Sequence, residues 1–358
     1  GKWHVGGGYD LLDESSWFPG SVGHPTPVQR GFDRFFGIVS GAANYFHPRT
    51  LMRNEGLIEI ETSDFYLTDA ISDNAVSMIE DTAQDDNPFF LHVAYTAPHW
   101  PLHALEEDIA RYQGKYQAGW DVVRTNRHEE LKGMGILDEK WEISPRDSAS
   151  CPWKEAKNHD WEDLRMAVYS AMIDRMDQGV GKILRKLKEL GIDDNTVIMF
   201  LSDNGGCAEF LAEDSTRPLP SQYASPTRDG RAMKIGNHED LIPGPDDTFM
   251  SYDLPWANTS NTPFRLFKRW THEGGISTPF IIRWPSKIKH SSIVHEPAHI
   301  IDISATIYDA ASAIYPKEIS GNEIKPLEGE SFLKAITGRN WQRNAPIFWE
   351  HEGSRAMR

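Results

Sequence analysis

Four short segments of this chain carry side chains that bind anions, move protons or ligate hard cations. Residues 196–206 read Thr-Val-Ile-Met-Phe-Leu-Ser-Asp-Asn-Gly-Gly, an apolar run that stops at an acid, an amide and two glycines. Asp203 and Asn204 offer oxygen ligands of the kind calcium or magnesium takes. Gly205 and Gly206 let the backbone turn sharply and let a ligand approach closely. Lys2 and His4 flank Trp3, and in an extended segment that spacing points both side chains to one face. His99 follows the apolar run 89–95 and lies between Pro98 and Pro101, whose rings stiffen its loop. Lys268 lies in Phe-Lys-Arg-Trp-Thr-His-Glu-Gly-Gly, residues 267–275, just before a further apolar run. Each segment by itself reads equally well as a polar turn or a solvated basic loop. Together, two lysines and two histidines can bind a tetrahedral oxyanion and shuttle protons near neutral pH. A divalent cation on Asp203 and Asn204 adds positive charge against a developing oxyanion. This set of groups suits hydrolysis of a sulfate or phosphate ester.

The elements that must position these groups are legible from periodicity. The run 196–201 has the length and β-branched content of a buried parallel strand, and 89–95 and 279–284 are similar. Ligands of open α/β sheets bind beyond the carboxyl ends of such strands. Leu67, Ile71, Ala75, Met78 and Ile79 form a helical stripe. Met166, Tyr169, Ile173, Met176, Val180, Ile183 and Leu187 form a longer one, with Gly191 as its stop. A further helix is expected over 300–313. Alternating helices and strands predict an α/β fold with a largely parallel central sheet and helices on both faces. Residues 1–65 look mostly irregular. So do two insertions, 103–160, with two lesser helical stretches, and 207–262. Long loops of this kind shape a leaving-group pocket, and their Trp120, Trp141, Trp153 and Tyr223 suit a sugar or aromatic ring.

Composition narrows the function further. At 358 residues the chain is long enough for one large domain and a small appendage. A formal net charge of -16 argues against nucleic acid and anionic membranes as partners. It leaves room for an anionic substrate held by a local cluster of Lys and His. No apolar run approaches the roughly 20 residues that span a bilayer. Cys151 and Cys207 are too few for a disulfide framework. The chain opens without Met and both ends read as cut, so the lack of a signal peptide says nothing about export.

The motifs also have an order. Gly-Lys-Trp-His-x-Gly is followed by Ala-Pro-His, then Ser-Asp-Asn-Gly-Gly, then Lys-x4-Glu-Gly-Gly, with Pro-Phe-Ile-Ile-Arg-Trp-Pro close behind. This resembles the type I sulfatases, formylglycine-dependent members of the alkaline-phosphatase-like superfamily, and bacterial arylsulfatases above all. Gly31-Phe32-Asp33 and Leu327-Glu328-Gly329-Glu330-Ser331-Phe332 also fit. Trp349-Glu350-His351-Glu352-Gly353 resembles the start of their small C-terminal α+β domain. The resemblance implies a catalytic domain over 1–324 that lacks its first portion, with the smaller unit beginning at 325–358. It implies Asp203 and Asn204 as two calcium ligands and Lys2 and Lys268 as sulfate contacts. His4 would help deprotonate the nucleophile, and His99 would protonate or hydrogen-bond the leaving oxygen.

The family's formylglycine is made by a maturating enzyme from Cys in Cys-x-Pro/Ala-x-Arg. Cys151 and Cys207 do not match that pattern, and the N-terminal pair of metal-binding aspartates is missing too. The resemblance therefore implies a sulfuric ester hydrolase acting on a small-molecule or carbohydrate sulfate. Its formylglycine and remaining calcium ligands would lie outside this chain, and the chain alone would be inactive. Family habit puts the complete protein in a periplasm or outside the cell. The alternatives are a phosphodiesterase or phosphonate monoester hydrolase of the same superfamily, or a non-catalytic binding protein that keeps the fold.

Overall fold

A computed structural model describes residues 1–5, 19–85, 87–211 and 223–358. In chain order its elements are β1 (Phe36–Ile38), β2 (Leu51–Arg53), β3 (Gly56–Leu57), α1 (Leu67–Thr82), α2 (Glu106–Ile109), α3 (Gly119–Gly133) and α4 (His159–Glu189). There follow β4 (Ile198–Leu201), β5 (Lys234–Ile235), β6 (Thr248–Phe249), α5 (Asp253–Ser260), α6 (Glu273–Ile276) and β7 (Phe280–Arg283). The C-terminal part adds α7 (Ile300–Ala310), β8 (Glu318–Ile319), β9 (Asn322–Glu323), α8 (Leu333–Ile336), β10 (Phe348–His351) and β11 (Ser354–Met357). The chain is α/β and divides into two compact units. The first holds Gly1–Thr125, Arg146–Leu190 and Cys207–Ser260; the second holds Asn126–Pro145, Gly191–Gly206 and Asn261–Arg358.

In the first unit the two long helices form where the apolar stripes are. α1 buries Leu67, Ile71, Ala75 and Ile79, and α4 buries Met166, Ala167, Ala171, Met172 and Leu187. Asn158 caps α4 by accepting from the Trp161 amide at 3.1 Å, which satisfies one of the otherwise unpaired first-turn donors. The helices approach closely at Gly179, where an added Cβ would lie 2.2 Å from Ser72 Oγ. Arg175 of α4 grips Asp69 of α1 through two hydrogen bonds of 2.7 and 2.6 Å. Beside them β1, β2 and β3 form an antiparallel meander. Phe35, Val39 and Met52 make a small core there, with Trp3 and Val28 packed on it. This meander has no periodic signature in the sequence, because its strands are only two or three residues long.

Residues 89–95, expected as a strand, are not part of a regular ladder. Their described backbone link is the Lys2 amide donating to Ala94 O at 2.7 Å. The insertion 207–262, expected to be irregular, contains the parallel pair β5–β6 and helix α5. Its residues 212–222 lie outside the described residues.

In the second unit β4 and β7 pair as expected partners in one sheet, but antiparallel, from Ile198 opposite Arg283 to Leu201 opposite Phe280. The pair is not buried as the apolar runs suggested. Phe200 and Ile281 stand opposite each other and both are exposed, because among the described residues this sheet is two strands wide. Residues from 325 onward pack around α7. Fully buried Asp302 accepts from the Glu330 amide at 2.8 Å and pairs with Arg343. The β10–β11 hairpin turns at Glu352 and Gly353, with φ of 50° and 83°. Two left-handed residues give the primed turn that matches strand twist.

Candidate active site

The second unit brings together three of the six sequence candidates. Asp203 and Asn204 leave the end of β4 in a turn closed by Ser202 Oγ donating to Asn204 O at 2.8 Å. The next residues are clasped to the Lys268 segment through the main chain. The Gly205 amide donates to Gly275 O at 3.0 Å, and the Lys268 amide donates to Gly206 O at 3.0 Å. The glycines are required by this contact. An added Cβ on Gly205 would lie 1.7 Å from Gly274 O, and one on Gly275 would lie 2.0 Å from Trp270 O. The loop between is tightly wound, with left-handed backbone at Leu266 (φ 65°) and Arg269 (φ 87°). Such strain persists where surrounding contacts over-determine it.

Asn261 completes the clasp. Its Oδ1 accepts from the Gly206 amide at 2.7 Å and its Nδ2 donates to Leu266 O at 2.9 Å. Sequence reasoning missed this residue. A single Asn before a Thr-Pro pair carries no signal of its own.

The first unit holds Lys2, His4 and His99. Lys2 and Trp3 run extended beside β1, with the Trp3 amide donating to Ile38 O at 2.8 Å. Trp3 turns into the core and donates from Nε1 to Pro25 O at 2.8 Å. The extended run ends at His4, whose φ is 46°. Its ring reaches the backbone of Gly41, where an added Cβ would lie 2.6 Å from His4 Nε2.

His99 is held from several sides. Tyr45 Oη donates to His99 O at 2.9 Å, and His99 Nδ1 donates to Trp100 O at 2.8 Å. This bond fixes the Nδ1–H tautomer of the neutral ring. The rings of His99 and Trp100 are 4.5 Å apart, and Trp100 is 6.3 Å from Tyr223. Trp100 Nε1 donates to Glu209 Oε2 at 2.6 Å. Just beyond, His103 is fully buried. It donates from Nε2 to Thr248 O at 2.6 Å and accepts the Tyr45 amide on Nδ1 at 3.2 Å. Burial lowers its pKa to about 4.

Among the loop aromatics, Trp120 is core and not surface. It is 2% exposed and packs against Trp153 at 4.7 Å and Trp256 at 5.6 Å. Trp153 in turn stacks on His159. Trp141 is exposed.

The family model for sulfatases matches residues 2–313. The chain belongs to the sulfatase family. This sulfatase chain is 31% identical to an arylsulfatase of Klebsiella aerogenes over 352 residues, which cover 92% of the chain and 71% of that protein. It is 28% identical to an uncharacterised sulfatase of Schizosaccharomyces pombe, covering 98% of the chain and 65% of that protein. The chain thus spans about two thirds of the length of these relatives. Among solved structures it is similar to Ps i-CgsB in complex with k-i-k-neocarrahexaose, with a TM-score of 0.58 and 22% identity, covering all of this chain and 59% of that one. At this identity the likeness speaks to fold: the sulfatase chain has the alkaline-phosphatase-like α/β fold of its family.

Asp203 and Asn204 are oxygen donors of the kind calcium takes, but they would supply two of its roughly 6–8 ligands. Among the described residues no three His, Cys, Asp or Glu side chains gather as a metal site. The donor set is right in kind and incomplete in number. Neither cysteine has the setting of an activated thiol. Burial raises the pKa of Cys151, and the Cys207 thiol donates to Glu209 Oε2 at 3.2 Å.

Proposed function

We propose that the complete sulfatase hydrolyses a sulfate monoester to an alcohol and inorganic sulfate. The observation that carries this reading is the main-chain clasp that joins the Asp203–Asn204 turn to the Lys268 loop, in a chain of this family. The clasp supports this reading because it would hold a turn that takes a cation and a lysine that takes an anion in fixed register, as electrostatic stabilisation of an oxyanion requires.

In this reading Lys2 and Lys268 bind the sulfate oxygens. His4 takes the proton of the attacking hydroxyl. His99, oriented by the bond from its Nδ1, delivers a proton from Nε2 to the leaving oxygen. Asn204 spends its Nδ2 on Gly205 O at 2.8 Å, which leaves its Oδ1 to join Asp203 as a calcium ligand. The bound calcium would compensate charge on the ester. A formylglycine nucleophile, contributed by a part of the protein outside this chain and made by a maturating enzyme, would supply the covalent step; the 358-residue chain by itself is then inactive. Small-molecule or carbohydrate sulfates fit the aromatic groups beside His99. The family's usual address, a periplasm or the cell exterior, is part of the proposal.

The test compares turnover of an aryl sulfate with phosphate mono- and diesters and a phosphonate monoester, using the complete protein co-expressed with a formylglycine-generating enzyme. Preference for the sulfate supports the reading. Preference for a phosphodiester or phosphonate, or no turnover of any ester by correctly matured protein, overturns it.

A further inference from the structure

The first unit contains a meeting point that the reaction scheme leaves unused. Gly41 is buried, and an added Cβ would lie 2.6 Å from His4 Nε2 and 2.7 Å from Tyr223 Oη. One side-chain-free patch of backbone is therefore the floor under both an imidazole nitrogen and a phenol oxygen. The backbone of Gly41 is not in the left-handed region, so glycine is needed there for space and not for φ. His4 is the reverse case. It is an exposed, non-glycine residue held at φ 46°. Left-handed backbone is uncommon for such a residue and needs contacts that hold it.

Tyr223 is itself held. Its ring meets Trp100 edge-on at 6.3 Å, Trp100 meets Phe249 at 5.6 Å, and Trp100 Nε1 is fixed on Glu209. Phe249 is fully buried. The phenol thus stands on a stack rooted in the core, and its oxygen and His4 Nε2 both lie within 2.7 Å of one point above Gly41. This is how a partly buried tyrosine behaves, with the ring packed and the hydroxyl directed at a polar partner.

We propose that Tyr223 is a positioning residue for His4, with its hydroxyl orienting the imidazole over Gly41 for proton transfer. The inference rests on the proposed function for its kinetic expression, but its geometric content does not. In chemical terms imidazole Nε2–H donates to the phenol oxygen in the neutral ring, which leaves the Nδ1 lone pair to take the proton of the attacking hydroxyl, and the same Nε2–H bond persists in the protonated ring. Gly41 is the steric condition for the arrangement.

The experiment uses the complete, matured protein and the variants Tyr223→Phe, His4→Gln and their combination. Tyr223→Phe keeps the ring and its stack and removes only the oxygen. The expected result is a kcat lower by about tenfold with KM within about twofold, since misorientation of a proton-transfer group acts on the transition state. The double variant should be no slower than His4→Gln alone, because the two act as one unit. Multiplicative effects, or a raised KM at unchanged kcat, would sink the proposal.

A second arm needs no turnover. The His4 imidazole nitrogen resonances, identified by their loss in His4→Gln, should move in Tyr223→Phe. If they stay in place, the hydroxyl does not address His4. An inactive wild-type protein would overturn the sulfatase reading, and the spectroscopic arm would still decide the role of Tyr223. Gly41→Ala serves as an independent variant. It should displace His4 and Tyr223 together and reduce kcat by at least as much as Tyr223→Phe, and full activity in Gly41→Ala would also refute the arrangement.

Discussion

Arg269 and Glu352 both hold left-handed backbone and are joined by an ion pair, with Arg269 Nε donating to Glu352 Oε2 at 3.1 Å. One sits in the strained loop beside Lys268 and the other at the tip of the β10–β11 hairpin. A second pair, Arg358 with Glu273, reaches the far end of the same loop. The C-terminal hairpin therefore braces the segment that presents Lys268. Three of the four side chains are at least half exposed and Glu273 is 32% exposed, so the brace is open to screening. Glu352→Gln is expected to speed hydrogen exchange of the amides at 266–272, and high salt should have the same effect on the unaltered protein. Equal exchange rates in all three conditions would show that the loop holds itself.

Gly205→Ala is expected to break the clasp. The new methyl would lie 1.7 Å from Gly274 O, and backbone cannot yield as a flexible side chain can. A cost of about 1–3 kcal/mol is typical of such overpacking, together with at least a hundredfold loss of turnover. Thermal unfolding and kcat/KM measure the two effects separately.

Asn261→Ala removes both bonds that link Gly206 to Leu266. It leaves a mostly buried amide and carbonyl without partners, at a cost of about 1–3 kcal/mol for each unsatisfied group. Asn261→Asp keeps the acceptor and loses the donor, so it should fall between Ala and wild type in chemical unfolding. An alanine variant as stable as wild type would show that water replaces the amide at no cost.

His103 makes stability depend on pH. Its folded pKa is about 4 because burial disfavours the charged ring, against about 6.5 for an unperturbed histidine. Between those values the unfolded chain binds the extra proton, so stability falls as pH drops from about 6.5 to about 4 and then levels off. The full effect is roughly 3 kcal/mol at 1.36 kcal/mol per pKa unit. His103→Gln should flatten this part of a urea-midpoint profile. An unchanged slope would mean that other groups carry it.

Calcium affinity should separate the chain from the whole protein. Two oxygen ligands give weak binding, so equilibrium dialysis of the 358-residue chain is expected to show no tight site. The complete protein should bind one ion and lose both the ion and its activity in Asp203→Ala. Retained turnover in that variant, after chelation and calcium addition, would remove Asp203 from the metal site.

The two long helices, α1 and α4, were legible because each carries an apolar stripe over three or more turns. Both α1 and α4 begin or end within a few residues of the stripes at Leu67–Ile79 and Met166–Leu187. The strands were less so. Periodicity locates β4 and β7 but does not give their relative direction, which depends on the path of the intervening 78 residues between Leu201 and Phe280. The meander β1–β3 and the pair β5–β6 are too short to have a period. At the site, the charged and imidazole side chains were visible as types at motif positions. Asn261, Gly41 and Tyr223 were not visible in roles at the site, because each acts by a contact to a residue distant in sequence. In the sequence Tyr223 is legible only as a loop aromatic.

The clasp between residues 205–206 and 266–275 is closed by peptide groups, glycines and the Asn261 amide. The Asn204 side chain touches this frame through its Nδ2 on Gly205 O, and the bonds that close the clasp are made by other groups. Such a frame is indifferent to the cargo it displays. Mutational drift can exchange the displayed groups one at a time, and so explore neighbouring ester chemistries, while the mutually fitted glycines stay frozen. Under random mutagenesis with selection for folding alone, positions 205, 274 and 275 should therefore be intolerant, and positions 203, 204 and 268 permissive.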